Sequence, residues 1–293
     1  MPYSVVDYRP LIEAGLDNLL PRSSVSAASR LNSALHYAVF PGGKRMRPML
    51  ALMGAGIVSE DIDRAVPAAC AIEFLHAASL IFDDLPAMDD ADVRRGRPAL
   101  HLEFGEDTAL LTALALLNQA YAIFGRTPAL IRDAAECIGA DGMIGGQAVD
   151  LDIRAAGGTP EKFDSRNRKT TGLMRLALTA GAIACGASER HVDALARCGE
   201  CLGEAYQIYD DLLDQYGCCE DTGKTARQDA RHHRPSHVLE FGCEASRRHV
   251  RSLIAESKET LYSCFGETEG VIVLTRAIDS IVGKVSAAGL VTA

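Results

Sequence analysis

Two aspartate clusters, each closing an apolar run, constrain this chain more than any other feature. The first is Asp83-Asp84-Leu85-Pro86-Ala87-Met88-Asp89-Asp90-Ala91-Asp92, directly after the apolar segment 65–82. The second is Asp210-Asp211-Leu212-Leu213-Asp214, after Ala205-Tyr206-Gln207-Ile208-Tyr209. Clustered like charges repel, and carboxylates are disfavoured at a helix C-terminus, where the macrodipole is negative. A solvated charge run accounts for Asp90 and Asp92. It accounts poorly for Asp83 and Asp84, which join a core segment without a break. A bound divalent cation meets both objections, and grouped oxygen ligands suit Mg2+, which keeps waters and bridges to phosphate. Asp210 and Asp211 each share a helix face with Asp214, and Gln207 precedes Asp210 by one turn. The two clusters point to two helices facing each other across a cavity, with metal and a polyphosphate between them. A structural acidic cap is the alternative. An EF-hand fits poorly, since neither segment has alternating loop ligands and a terminal Glu.

The rest of the chain reads as helix. Apolar types make up 48% and aromatics 5%, tryptophan is absent, and apolar residues recur at 3.6-residue spacing rather than in alternation. The helical segments are 25–39, 46–58, 65–84, 103–123, 129–154, 171–187, 192–216, 243–265 and 269–288. Pro41-Gly42-Gly43, Pro86, Gly96-Arg97-Pro98, Gly157-Gly158, Gly217 and Gly223 punctuate them. No linker or internal repeat divides the 293 residues, so a single domain of about ten long helices is expected. The formal charge of −9 argues against a general nucleic-acid or anionic-membrane binder, while leaving room for a local basic pocket. Nine cysteines, an odd number, show no secreted disulfide framework. Cys198 and Cys201, read as a metal knuckle, lack a second well-spaced pair and fit one face of a helix. The N-terminus MPYSVVDYRP shows no signal peptide. The most apolar stretches, 109–117 and 176–187, are too short to span a bilayer. A soluble protein of a reducing, cytoplasmic compartment without transmembrane segments is expected.

Basic residues stand beside glycines where they could reach the same cavity. Gly42-Gly43-Lys44-Arg45-Met46-Arg47-Pro48 puts Lys44 and Arg47 at a predicted helix start, a good diphosphate seat. Arg94-Arg95-Gly96-Arg97 follows the first acidic cluster, Lys169-Thr170 is read as opening the helix 171–187, and Gly223-Lys224 follows the second cluster. His76 lies seven residues before Asp83, on the same helical face. Acidic groups carrying metal, metal carrying phosphate and cations closing the shell describe a phosphate-ester substrate better than a nucleic acid. Ordinary solvated surface remains the alternative for each basic pair.

Together these motifs resemble those of the trans-isoprenyl diphosphate synthases, the polyprenyl synthetase family, and most of all bacterial geranylgeranyl diphosphate synthases of carotenoid pathways. The resemblance runs in order through GGKRMRP (42–48), FLHAASLIFDDLPAMDDADVRRGRP (74–98), GMIGGQAVDL (142–151), KTTGL (169–173), YQIYDDLLD (206–214) and TGKTARQDA (222–230). It implies a homodimer whose subunit is an isoprenoid-synthase helical bundle around a central cavity. It implies Mg2+, three ions per site, held by Asp83 and Asp89 with Asp84 supporting, and by Asp210 and Asp214 with Asp211 assisting. Lys44, Arg47, His76 and Arg95 would match the isopentenyl diphosphate seat. Arg94, Lys169, Thr170, Gln207 and Lys224 would match the allylic diphosphate seat. Gln147 and Asp150 would line the cavity, with the glycines at 142–146 as close-packing positions. The chain departs from the family at 231–234, where two extra residues occur and Arg234 is the candidate for a usual lysine; Arg and Lys are not geometrically interchangeable.

The implied reaction is ionisation of the allylic diphosphate, attack by the double bond of isopentenyl diphosphate, and proton loss to the released diphosphate. Helix 65–82 would wall the tunnel for the growing chain. Ala78 and Ser79 lie a little over one turn before Asp83 and are small, so a C20 product is expected. Phe74, or residues of helix 103–123, could set the floor instead. C15 or C25 synthases, a cyclase of the same fold and a non-catalytic partner subunit are the alternatives. A cyclase needs no isopentenyl diphosphate seat, and a non-catalytic subunit should lack one acidic motif.

Overall fold

The computed structural model describes residues 7–156, 160–216 and 236–282, with side chains undescribed at 154–156, 160–166, 214, 216 and 282. Within these limits the chain is all-α apart from one short hairpin. Their helices are α1 (Arg9–Leu19), α2 (Ser29–Val39), α3 (Met46–Val58), α4 (Val66–Asp84), α5 (Leu100–Phe104), α6 (Glu106–Phe124) and α7 (Pro128–Ile138). There follow α8 (Met143–Ala156), α9 (Pro160–Ala184), α10 (Glu189–Tyr216), α11 (His237–Phe241), α12 (Cys243–Phe265) and α13 (Glu269–Val282). The hairpin pairs β1 (Val93–Arg94) with β2 (Arg97–Pro98), antiparallel. Contacts group the described residues into two units, one within Ser4–Asp133 and Ala180–Gly186, the other within Ala134–Thr179 and Ala187–Ala293.

In the first unit α4 is the core. Its sequence is apolar all round, with Pro67 in the first turn, and such a helix has no face to offer water. Ala68, Ala69, Cys70, Ala71, Ile72, Phe74, Leu75, Ala77 and Ala78 are all buried, and α1, α2, α3, α5 and α6 pack around it. At 1.5 Å per residue this rod is about 28 Å long. The helical stretch Ile62–Asp84 and α6 are in fact long and apolar enough to cross a membrane by length and composition. That corrects the expectation that only short apolar stretches occur. Two thirds of the first window (67%) is buried in the protein, as in the core helix of a water-soluble fold.

In the second unit α10 lies along α12, with α11 and α13 against it. Close backbone approach explains the glycines. A Cβ on Gly199 would lie 2.6 Å from Arg175 Cα, and one on Gly203 2.7 Å from Thr171 Cα, so α10 and α9 touch nearly backbone to backbone. A Cβ on Gly146 would collide with the Lys169 backbone, which seats α8 on α9 as the close-packing expectation holds.

Several sequence expectations shift. Segment 103–123 is broken at Gly105 (φ 81°) into α5 and α6, and 129–154 is broken around Gly139–Gly142 into α7 and α8. α9 starts at Pro160, so Lys169 and Thr170 lie in its interior and do not open a helix. A helix N-terminus is therefore absent at these two residues. α1, α11 and the hairpin were not anticipated. Cys198 and Cys201 are buried free thiols on α10, pushed up by burial to about 12 and about 11, which suits core packing and not metal or redox work.

Candidate active site

α4 stops where Pro86 forbids it to continue. Leu85, the residue before the proline, is extended (φ −62°, ψ 152°), as that position requires. The chain then folds back on the helix end. The Asp89 N–H donates to the Asp83 carbonyl at 2.9 Å and the Ala91 N–H to the Asp84 carbonyl at 3.2 Å, which satisfies carbonyls the helix leaves open. Asp83 and Asp89, six apart in sequence, are thereby gathered at one helix terminus. Asp84 turns away and is buried. Arg94 Nε donates to both of its carboxylate oxygens at 3.0 Å, and Nη2 adds a closer contact. The hydrogen bonds to Asp84 hold the Arg94 pKa above its ordinary value, with the charges of Asp83 and Asp89 adding to the effect.

The hairpin carries the next cation. Its two-residue turn, Arg95-Gly96, has both residues at positive φ (54° and 74°), the type I′ geometry that suits the twist of paired strands. Left-handed backbone is uncommon for a non-glycine residue and clusters at functional sites. The Arg95 guanidinium lies beside Gly43, where a Cβ would be 3.3 Å from it. Burial lowers its pKa. From α3, Arg47 Nη1 approaches His76 Nε2 of α4 at 3.4 Å. Burial first, then the charges of Arg47, Arg95, Arg94 and Arg45, hold the His76 pKa well below the usual range. The first unit thus brings together an acidic edge (Asp83, Asp89) and a basic floor (Arg47, His76, Arg94, Arg95), with Arg94 in the field of both. Lys44 stands next to that floor in the loop between Gly43 and Arg45.

Arg45 is the residue that reading the sequence missed. It is 2% exposed and caps the start of α3 in left-handed backbone (φ 53°). Its guanidinium pairs with Glu73 at 2.6 Å and Glu13 at 2.8 Å and donates to the Val39 carbonyl at 2.8 Å. It fills the space a Cβ on Gly42 would need. The signal was available: Glu73 is the one carboxylate inside the apolar run 65–82, and a buried carboxylate needs a cation.

In the second unit, Thr170 of α9 donates its hydroxyl proton to Gln207 Oε1 of α10 at 2.8 Å. Gln207 Nε2 donates to Asp211 Oδ1 at 3.2 Å, and the His237 N–H donates to Asp211 Oδ2 at 2.7 Å. Asp210 is exposed and Asp211 buried. Asp150 is buried on α8 and Gln147 half-buried. A cavity of about 530 Å³ in this unit has Glu136, Asp141, Glu200 and Glu204 against Arg168 and Arg175, a lining too acidic for a polyphosphate. Lys224 and Arg234 lie outside the described residues, and so does the side chain of Asp214.

Of the chain-length candidates, Ala78 and Phe74 have no exposed surface, while Ser79 is partly exposed and donates to the His76 carbonyl at 2.9 Å. Among the described residues no three His, Cys, Asp or Glu side chains converge into a ready-made metal cluster. Paired oxygen donors at the end of α4 still fit Mg2+, which takes one or two carboxylates and completes its shell with water and substrate phosphate.

The polyprenyl synthetase family model matches residues 28–265. The chain is 33% identical to the mitochondrial geranylgeranyl pyrophosphate synthase 6 of Arabidopsis thaliana, over 93% of this chain and 87% of that one. It is 34% identical to a chloroplastic geranylfarnesyl diphosphate synthase of Leucosceptrum canum, over 85% and 71%. The crystal structure of an FPP/GFPP synthase from Zymomonas mobilis superposes with a TM-score of 0.79 at 28% identity, covering 95% of this chain and all of that one. Plant and bacterial relatives alike share the likeness, and it singles out no bacterial carotenoid-pathway enzyme.

Proposed function

The chain belongs to the polyprenyl synthetase family of trans-isoprenyl diphosphate synthases and is a short-chain trans-prenyltransferase, and on that premise we propose that it condenses isopentenyl diphosphate with allylic diphosphates to geranylgeranyl diphosphate (C20). The observation that carries the reading is the end of α4, where a carboxylate edge adjoins a floor of guanidiniums around His76 within one unit. Lys44, Arg47, His76 and Arg95 would seat isopentenyl diphosphate. Arg94, Lys169, Thr170 and Gln207 would face the allylic diphosphate, with Lys224 and Arg234 as further cations.

Asp83 and Asp89, with Asp210 and Asp214, would hold three Mg2+ ions, which when bound draw charge from a departing diphosphate. The chain's own cations stabilise that same charge from fixed positions, which costs no reorganisation as the C–O bond breaks. Asp84 serves by bracing Arg94, which keeps the guanidinium from collapsing onto Asp83 or Asp89. The oxygens of Thr170 and Gln207 stabilise the allylic cation while water is kept out. No side chain need act as base, since the released diphosphate can take the proton.

The C20 product rests on the small residues Ala78 and Ser79 ahead of Asp83. Exposed leucines on α5 and α6 (Leu102, Leu110, Leu111 and Leu114) support a homodimer, because contiguous exposed apolar surface marks association sites. Free thiols support a reducing, cytoplasmic setting. The test is purified protein with farnesyl diphosphate, isopentenyl diphosphate and Mg2+, with the dephosphorylated products sized by chromatography. A C20 alcohol is expected. A C25 product, or no elongation of farnesyl diphosphate beside synthesis of C15 from shorter starters, would reassign the length, and no condensation with any starter would overturn the activity.

A further inference from the structure

We propose that Asp211, the middle carboxylate of the second acidic motif, is a positioning residue for Gln207 and Thr170 and not a ligand of the metal. The role rests on the function proposed above, since the group it positions faces the allylic cation. Asp211 is 4% exposed, while its neighbour Asp210 is exposed. Both Asp211 oxygens accept hydrogen bonds, Oδ1 from Gln207 Nε2 at 3.2 Å and Oδ2 from the His237 N–H at 2.7 Å. The first partner lies one turn back on α10, and the second is the first residue of α11.

The direction of the hydrogen bonds follows from Asp211. A carboxylate accepts only, so it must face the amino end of the Gln207 carboxamide. That leaves Oε1 toward Thr170, 2.8 Å away, and Thr170 must then donate its proton to it. A hydroxyl whose proton is committed in this way turns its lone pairs elsewhere, as stabilisation of an electron-poor carbon requires. Without an acceptor-only group at 211 the carboxamide can rotate by half a turn. Its amino end would then donate to Thr170, and the hydroxyl proton would be free to point at the cation. One carboxylate on α10 thus fixes the polarity of a chain that ends on α9.

The experiment compares wild type, Asp211→Asn, Gln207→Leu and the double variant, in steady state and in titrations of Mg2+ with inorganic diphosphate followed by calorimetry. An asparagine can donate as well as accept, so the polarity is lost while the shape is kept. Asp211→Asn is expected to lower kcat by about 10- to 100-fold, the scale of a misplaced catalytic group, with KM and the half-saturating Mg2+ concentration within about twofold of wild type. In the Gln207→Leu background it should cost almost nothing more, because the two act as one unit. A rise of about tenfold or more in half-saturating Mg2+, with kcat restored at high Mg2+, would make Asp211 a metal ligand and overturn the proposal. Losses that add fully with Gln207→Leu would overturn it too.

Should Asp211→Asn fail to fold, His237→Pro asks whether the anchoring of that carboxylate sets kcat or the metal response. Ser236 is extended (φ −136°, ψ 138°) and position 237 is the first of a helix, where proline is tolerated, so the change deletes the N–H donor to Oδ2; it also removes the ring's 2.8 Å contact with Ser246 Oγ, which His237→Ala removes alone as the control. A lower kcat with an unmoved Mg2+ response supports the role, and a moved Mg2+ response or an unchanged kcat refutes it. A wild type that cannot condense any substrate pair would instead overturn the function proposed above, and this role with it. An active wild type with a Mg2+-sensitive Asp211→Asn overturns only the role given to Asp211.

Discussion

His76 sits on α4 amid guanidiniums, and its neutrality has a consequence for stability. Burial leads, and the charges of Arg47, Arg95, Arg94 and Arg45 follow, in holding its pKa well below that of a free imidazole. In the unfolded chain the same group takes a proton below about pH 6.5. The unfolded state then binds more protons than the folded one, so stability present above about pH 6.5 is lost as the pH falls below it. Denaturant melts of the substrate-free protein at pH 7 and pH 5 should show a smaller loss for His76→Gln than for wild type. Equal losses would mean that His76 is protonated in the folded state. At the same scale, Ser79 is the better probe of product length than Ala78, because a ring at the fully buried Ala78 would overpack the core. Ser79→Phe should shift the product toward C15, and an unchanged product distribution would remove Ser79 from the tunnel wall.

Among the elements, the stretch from Gly42 to Arg47 is anchored by a buried ion pair. Arg45 ties it to α1 through Glu13 and to α4 through Glu73. Removing one partner leaves a charge stranded in the core, which typically costs about 3–5 kcal/mol. Arg45→Met should lose about that much in urea unfolding, and Arg45→Met with Glu73→Met should recover part of it. If the single variant is as stable as wild type, the pair is not the anchor described. The same pair holds the backbone between Lys44 and Arg47, because Arg45 lies between them.

For the whole molecule, the residues of the proposed reaction fall in both units. One carries the acidic edge and the basic floor at the end of α4, the other the Thr170–Gln207–Asp211 chain. Association is a separate matter, and Leu110, Leu111 and Leu114 are its candidates, spaced for one side of α6. Leu111→Glu with Leu114→Glu should turn a dimer into a monomer in sedimentation velocity. A monomeric wild type would dispose of the homodimer.

Much of this protein could be read without coordinates. The all-helical class, the core character of 65–84, the two acidic motifs and their basic companions all follow from local pattern, because helical periodicity and charge clustering are properties of neighbours in the chain. The start of α9 was misjudged by eleven residues, since the polar stretch after Pro160 has helical geometry but no apolar signature to reveal it. Which aspartates face outward and which are spent on partners was decided only by folding. Asp84 and Arg94 meet because a hairpin brings them together, and Asp211 meets the N–H of His237 across 26 residues. Side-chain pairing over such separations depends on burial and on backbone approach in three dimensions, and neither is written in the order of the residues.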